Sequence, residues 1–399
     1  MNGNVVFSCS RQGQCFFTVL AELPPLRKTV IYLDTSTVSH MARAKARGNA
    51  SAPYLKLYEA LRRANDRNLI ACPGSTIVET EAEFWNLGDT IIEMSRHLSD
   101  PGLNHELHVR ETQLFRALTQ WLAGEPAALD LAPPWRDAFE SKVHVWHSTF
   151  NIIMNTRTPA EFIEAAKRMK DEDLPRITEL YKAYADRDLT FEQVVEAQKY
   201  AFGLRVIEDG RLAMQGKILF YQGHITNPVV LYRSTFERIA AMLQGKRACT
   251  FEESLTLATD FLMSAHVVMT PFAVISGRLQ AGVAMLCRGN APRQPKPGDQ
   301  YDIEHIATFM PYVDVIIADR GMAALANQNH LRLGDPFNTK IQSLGENDIP
   351  TFIEWLESLA DGSEVASLSK RISDSIWQGG FHQDFAAAME RDMNATAKS

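Results

Sequence analysis

The chain has 399 residues and a formal net charge of −7, with 45% hydrophobic and 22% charged residues. These values are typical of a globular protein and exclude a chain-wide basic field, so any binding of a polyanion requires a local basic patch. The length predicts two or three domains. Five cysteines without paired metal spacing, and no apolar run of about 18 residues, predict a cytoplasmic protein that does not cross a membrane.

The first hundred residues predict alternating strands and helices. Residues 1–27 are expected to form an irregular lead-in through Pro24 and Pro25. An apolar, β-branched strand at residues 29–33 then ends on Asp34. The pattern after it predicts a helix, a second helix, a short strand and a third helix, over residues 35–47, 53–65, 68–72 and 75–87.

From about residue 100 to residue 295 the pattern is helical, and strand signals are nearly absent. Apolar positions recur at helical spacing over residues 108–123, 138–154, 160–169, 174–185, 191–203, 234–243, 251–269 and 271–287. A Pro- and Gly-rich stretch at residues 288–299 predicts a linker.

The stretch from Gly298 to Met322 carries two further acids. Asp302 is predicted to open a helix, where a carboxylate complements the helix dipole. Pro311 marks a turn, and a buried strand at residues 313–318 ends on Asp319, at the sheet edge where open α/β sheets bind ligands. After Asp319 the pattern predicts a helix from residue 321, a strand from residue 340 and a helix from residue 349. Two helical segments follow in the C-terminal extension, which begins at residue 363.

Each half of the strand-bearing sequence has too few strands to form a sheet alone, which predicts one α/β domain interrupted by a helical insertion. The expected units are residues 28–99 and 298–362 for the two parts of the α/β domain, 100–297 for the insertion and 363–399 for a helical extension.

A fourth acid lies on the helix at residues 75–87. Glu81 shares a helical face with Ile77 and Phe84, and a carboxylate on an apolar face is an informative exception to polar-outside patterning. Strands that each deliver a carboxylate to one sheet edge indicate a hard-cation site.

This order of motifs resembles the PIN domain, a metal-dependent nuclease family that includes toxin ribonucleases. Asp34 with Ser36 is similar to the family's first acid and the small polar residue after it. The run from Ser75 to Glu81 is similar to its second motif, with Glu79 as the alternative acid. The run DIEHIATFMPYVDVIIAD supplies Asp302 and Asp319, although Ile317 and Ala318 stand where the family has a hydroxyl residue.

The resemblance covers residues 28–95 and 298–345 and implies a three-layer α/β/α fold with a parallel sheet. It also implies that four acids bind Mg²⁺ or Mn²⁺ and catalyse phosphodiester hydrolysis, more often in RNA than in DNA, with a homodimer or a partner protein as a further possibility. The acids are Asp34, Glu81, Asp302 and Asp319. Such carboxylates repel one another unless a cation neutralises them.

Basic and polar residues beside the acids are candidate substrate contacts. They are Ser36, Arg43 and Arg320. Lys45 and Arg47 near Asp34, and Arg288, Arg293 and Lys296 before Asp302, complete a potential phosphate-binding rim or form a solvated charged face.

Two other readings stay open. A haloacid-dehalogenase-like phosphatase also begins with a strand and an Asp, but it requires a second Asp where this chain has Ser36. Alternatively, a PIN-like scaffold without catalysis binds a partner protein through the helical insertion.

Overall fold

The computed structural model describes residues 6–11, 14–19, 26–48, 51–75, 78, 82, 87–144, 175, 178–184, 186–214, 234–288, 293 and 296–360. These residues form an α/β fold in which helices predominate. Across the described ranges, we find no helix with the length and apolar character needed to span a membrane.

The sheet has five parallel strands in the order β5-β4-β3-β6-β7. The strands are β3 (Thr29–Leu33), β4 (Ile70–Gly74), β5 (Ser99–Gly102), β6 (Val315–Ile317) and β7 (Lys340–Gln342). The chain therefore starts this sheet at its centre and adds two strands on one side. After a long helical stretch it returns to add two strands on the other side.

The helices near the sheet are α1 (Thr35–Ala46), α2 (Pro53–Asp66) and α3 (Gly88–Leu98). The helical stretch then contains α4 (Glu106–Ala123), α5 (Phe191–Met214), α6 (Thr235–Arg247), α7 (Phe251–Leu262), α8 (Ala265–Val268) and α9 (Pro271–Leu286). It is followed by α10 (Pro297–Phe309), α11 (Arg320–Ala326) and α12 (Ile349–Ser358).

Strand β3 shows why the sheet is covered on both faces. Its side chains alternate, so Ile31 and Leu33 join a core with residues of α1, α2, α3 and α12. Val30 and Tyr32 join a second core with residues of α9, α10 and α11. A strand buried on both faces is apolar throughout, as the TVIYL run is. A third core holds α4, α6 and α7 together.

The prediction of an irregular lead-in was wrong for residues 6–11 and 14–19, which form two paired strands; residues 1–5, 12–13 and 20–25 lie outside the described residues. Strands β1 (Val6–Arg11) and β2 (Gln14–Val19) pair antiparallel, with Arg11 opposite Gln14. Two residues between paired strands are the commonest hairpin connection, and this spacing was the signal for it.

Two predictions within the helical stretch need correction. Residues 138–144 are not helical: Phe139 bridges Leu103, and the amide of Glu140 donates to the carbonyl of Gly102 at 3.1 Å. The remainder of that predicted helix, and the one at residues 160–169, lie outside the described residues. The predicted helix at residues 251–269 is interrupted at Met263 and Ser264, between α7 and α8.

The strand β5 was missed, because its sequence SDPG has no strand propensity and tertiary pairing with β4 determines it. The helix predicted at residues 75–87 lies almost entirely outside the described residues. The other predicted strands and helices bounding the sheet are present, with ends shifted by a few residues. The predicted C-terminal segments after residue 362 lie outside the described residues.

Candidate functional site

Two of the predicted acids follow neighbouring strands at the carboxyl edge of the sheet. Asp34 comes directly after β3, and Asp319 comes two residues after β6. Leu33 is paired with Ile317, and the amide of Asp34 donates to the carbonyl oxygen of Ile317 at 3.0 Å. This bond continues the ladder and holds both acids at one edge. Both side chains are partly buried.

The carboxylate of Asp34 is bound by a side chain rather than by a helix end. The hydroxyl of Ser36 donates to Asp34 Oδ2 at 2.7 Å. Asp34 occupies the cap position of α1, yet within the described chain its side chain makes no capping hydrogen bond to the backbone amides of that helix. Helix capping therefore does not account for this acid.

Asp319 does cap a helix. Its Oδ1 atom accepts hydrogen bonds from the amides of Gly321 at 2.5 Å and Met322 at 3.2 Å, at the start of α11. Its Oδ2 atom accepts no hydrogen bond from the residues that the structure describes. One oxygen is thus used to orient the side chain, and the other is available to a ligand.

Asp302 lies in the second turn of α10, not at its start as predicted, because the helix already begins at Pro297. Asp299 is the acid in the first turn of the helix, where Asp302 was expected. Its side chain accepts a hydrogen bond from the amide of Lys296 at 2.8 Å. Asp299 also pairs with Arg293 at 2.5 Å.

The contacts of α10 with β3 indicate toward which edge of the sheet the start of this helix points. The Phe309 ring stacks on Tyr32 with centroids 5.5 Å apart, and the Tyr32 hydroxyl is 3.4 Å from His305 Nδ1. Since α10 ends shortly before the start of β6, its earlier turns point toward the carboxyl ends of the strands. Asp302, one turn before His305, therefore lies on the side of Asp34 and Asp319.

His305 lies one turn after Asp302, where the sequence allows a contact to a carboxylate or phosphate but favours a plain surface or core histidine. It is 3% exposed and contacts the Tyr32 hydroxyl, which makes it a core histidine. The histidine pairs at residues 105/108 and 144/147 have a spacing that suits a metal site on a helix, but neither has a third ligand nearby in the sequence, which predicts a structural role. His105 accepts from the amide of Leu107 at the start of α4, and His144 accepts from the amide of Lys28. His147 lies outside the described residues.

A buried ion pair anchors α10 to the helical stretch. Glu304 contacts Arg110 of α4 at 3.0 Å and Arg205 of α5 at 3.3 Å. Burial alone would raise the pKa of the Glu304 carboxyl group, but the charges of Arg110 and Arg205 and the Gln300 amide outweigh it and lower the pKa to about 2. The helix that carries Asp302 is therefore held from both the sheet and the helical stretch.

The fourth predicted acid, Glu81, and its alternative Glu79 lie outside the described residues. Among the residues that are described, no group of three or more His, Cys, Asp or Glu side chains is arranged to hold a metal ion. The described chain thus contributes Asp34 and Asp319 to one edge, with Asp302 on the helix beside it.

The basic residues predicted to form a phosphate-binding rim fall into two groups in the structure. Arg43 is partly buried on α1, and Arg320 is exposed directly after Asp319. Arg288 instead donates to the carbonyl of Tyr184 at 2.5 Å, and Arg293 pairs with Asp299 as described above. Lys45 pairs with Glu93 at 3.1 Å. Arg288 and Arg293 are therefore structural, whereas Arg320 directly follows Asp319 and Arg43 lies in the last turn of the helix that begins after Asp34.

Asp314 begins the run that leads into β6, where the sequence predicts a solvent-facing acid at the strand edge. In the structure it has a bonding role instead. Its Oδ2 atom accepts from the amide of Val30 at 2.8 Å, and Oδ1 contacts Arg27 at 3.4 Å. It lies at the amino edge of β6, opposite to Asp319.

A pair of stacked rings on α1 and α2 was not predicted from the sequence. His40 of α1 stacks on Tyr54 of α2, with ring centroids 4.8 Å apart and 15° between the planes. The Tyr54 hydroxyl donates to the carbonyl of Leu344 at 2.8 Å. The available signal was the spacing of Ser36, His40 and Arg43, which places all three on one helical face.

Comparison with known proteins assigns no family: no family model, curated protein or solved structure matches this chain.

Proposed function

We propose that this chain is a metal-dependent nuclease that hydrolyses phosphodiester bonds, with RNA as its substrate, on a PIN-like α/β domain. The observation that carries the proposal is the juxtaposition of Asp34 and Asp319 at the carboxyl ends of the neighbouring parallel strands β3 and β6. Ligands of open α/β sheets bind at this edge.

The fold supports the proposal. Separate hydrophobic cores on the two faces of the sheet are what a three-layer α/β/α domain requires. The helices between β5 and α10 separate the two parts of that sheet in sequence, as an insertion would. Free thiols at the described cysteines Cys72, Cys249 and Cys287 are compatible with a cytoplasmic location.

The donor set at this edge fits a hard divalent cation. Mg²⁺ is commonly bound by one or two carboxylates together with waters and substrate phosphates, so Asp34 and Asp319 are a sufficient protein contribution. Asp302 and Glu81 would complete the set. When bound, Mg²⁺ or Mn²⁺ supplies positive charge that offsets the repulsion between the carboxylates and polarises the phosphodiester.

The protein residues orient these acids in two ways. Ser36 donates to Asp34, and the amides of Gly321 and Met322 donate to Asp319. A carboxylate that is fixed before the substrate binds loses less freedom on binding. Arg43 and Arg320 supply positive charge near the acids, where we propose that they contact the phosphates of the substrate.

The test is cleavage of labelled single-stranded RNA and DNA with Mn²⁺, Mg²⁺ or EDTA. We expect metal-dependent cleavage of RNA that is lost in Asp34→Asn and in Asp319→Asn, by a hundredfold or more, on the order expected for removal of an essential charged group. Asp314→Asn is the matched control, because Asp314 lies at the other end of β6 and keeps its acceptor oxygen as Asn.

Two results would contradict the proposal. One is wild-type cleavage that survives in folded Asp34→Asn. The other is the absence of both cleavage and Mn²⁺ binding in the folded wild-type protein, as measured by isothermal titration calorimetry. Preferential cleavage of DNA would change the substrate but not the site.

A scaffold without catalysis is the second candidate function. The observation in its favour is that the described residues include no group of three or more potential metal ligands. A folded wild-type protein that binds no Mn²⁺ would support it. The phosphatase alternative has less support, because the residue two positions after Asp34 is Ser36, which donates a hydrogen bond and cannot act as the second carboxyl group.

A further inference from the structure

We propose that the face of α1 formed by Ser36, His40 and Arg43 binds the nucleotide next to the reacting phosphate, with its base stacked on the His40 ring. This inference rests on the proposed nuclease function and specifies how a single-stranded substrate is held.

The position of this face follows from helix geometry. Ser36, His40 and Arg43 are separated by four and three residues, which places them within about 60° of one another around the helix. At about 1.5 Å per residue, His40 lies ~6 Å and Arg43 ~10 Å along the axis from Ser36. Since Ser36 donates to Asp34, the face begins at the acids and leads away from them.

The His40 ring is held in place from one side. Tyr54 lies parallel to it at 4.8 Å between centroids, and Tyr54 is itself fixed by its hydrogen bond to the carbonyl of Leu344. His40 is nevertheless exposed, so part of the residue remains accessible to solvent. A flat ring that is held by a second ring and accessible to solvent can stack with any base.

The charge on α1 matches a nucleic acid strand. The helix contains no Asp or Glu, and its last turn carries Arg43 and Lys45. Partial burial, together with the nearby charge of Arg43, lowers the pKa of His40, against the opposing effect of Glu346. His40 is therefore neutral at neutral pH and stacks as an uncharged ring, while Arg43 provides the charge for a phosphate.

The test measures KM and kcat for RNA cleavage by the full-length protein on two kinds of substrate. One is an intact oligonucleotide, and the other has an abasic nucleotide at either position flanking the cleaved bond. For His40→Ala we expect KM on the intact RNA to rise about tenfold with kcat unchanged. On the substrate without the stacked base, we expect the KM of this variant to equal that of the wild type.

Three further variants separate stacking from structural effects. His40→Phe keeps a flat ring, and its KM should stay within about threefold of the wild type. Arg43→Ala should raise KM on both kinds of substrate, with an effect that shrinks at high salt. His97→Ala is the control, because exposed His97 contacts Tyr58 of α2 at 3.2 Å but lies at the opposite edge of the sheet; its KM should not change.

The proposal is overturned if folded His40→Ala has the wild-type KM on intact RNA, or if its KM rises equally on the abasic substrates. Either result leaves the nuclease function intact. A wild-type protein that cleaves no nucleic acid overturns both proposals, so the two failures are distinguishable.

Discussion

The ion pair that anchors α10 gives a measurable dependence of stability on pH. Glu304 lies between Arg110, whose side chain is 11% exposed, and Arg205, which is 55% exposed. Arg110 also donates to the Thr308 hydroxyl at 3.1 Å and lies 4.5 Å from the centre of the Phe272 ring. Removing the charge of Glu304 therefore leaves a largely buried guanidinium group without its carboxylate.

The magnitude follows from the pKa. The Glu304 pKa is lowered from an ordinary 4.5 to about 2. Because one pKa unit corresponds to about 1.4 kcal/mol, the ionised group contributes roughly 3 kcal/mol to the free energy of unfolding. The folded-state pKa is the lower one, so this contribution is fully present above pH 4.5 and is lost as the pH falls toward 2. Near pH 3 roughly half of it remains.

The variant Glu304→Gln keeps the shape of the side chain and removes its charge. We expect it to lower the free energy of unfolding by about 3 kcal/mol at pH 7 and by roughly half of that at pH 3. Urea denaturation followed by tryptophan fluorescence at both pH values measures this difference. Arg205→Ala is the control, and since this partner is exposed, its cost should be about 1 kcal/mol or less.

The reasoning would be refuted by a Glu304→Gln variant whose destabilisation is the same at pH 7 and pH 3. Equal stability of variant and wild type at pH 7 would also refute it, because the burial of Arg110 would then carry no penalty.

Two further predictions concern packing and the sheet. Gly203→Ala should destabilise the protein by about 1–3 kcal/mol, because the added Cβ would lie 2.0 Å from the carbonyl oxygen of Leu262. Gly245→Ala, which has open space around it on α6, should stabilise the protein by about 0.5–1 kcal/mol. Thermal melting that ranks the two variants alike would contradict this prediction. Asp314→Ala should lower the free energy of unfolding, measured by urea denaturation, by about 1–3 kcal/mol, because it leaves the amide of Val30 unpaired. Asp314→Asn keeps an acceptor oxygen and should retain most of the stability. An equal loss in both variants would show that the hydrogen bond is not the cause.

Local patterns predicted most of the elements near the sheet. The runs at residues 29–33 and 313–318 were recognised as buried strands because β-branched residues favour strands and few polar residues interrupt them. Elements with weak local signals were missed or misplaced. The SDPG strand forms because β4 pairs with it. Asp302 lies in the second turn because Pro297 starts the helix and Asp299 caps it.

The sequence by itself determined that Asp34 and Asp319 each follow an apolar strand, since strand ends depend on neighbouring residues in the chain. Only the tertiary structure decided that β3 and β6 are adjacent, with residues 34–314 between them. The tertiary structure likewise determines that His40 stacks on Tyr54 and that Glu304 pairs with Arg110. Such contacts depend on packing between segments far apart in sequence, which propensity and periodicity do not encode.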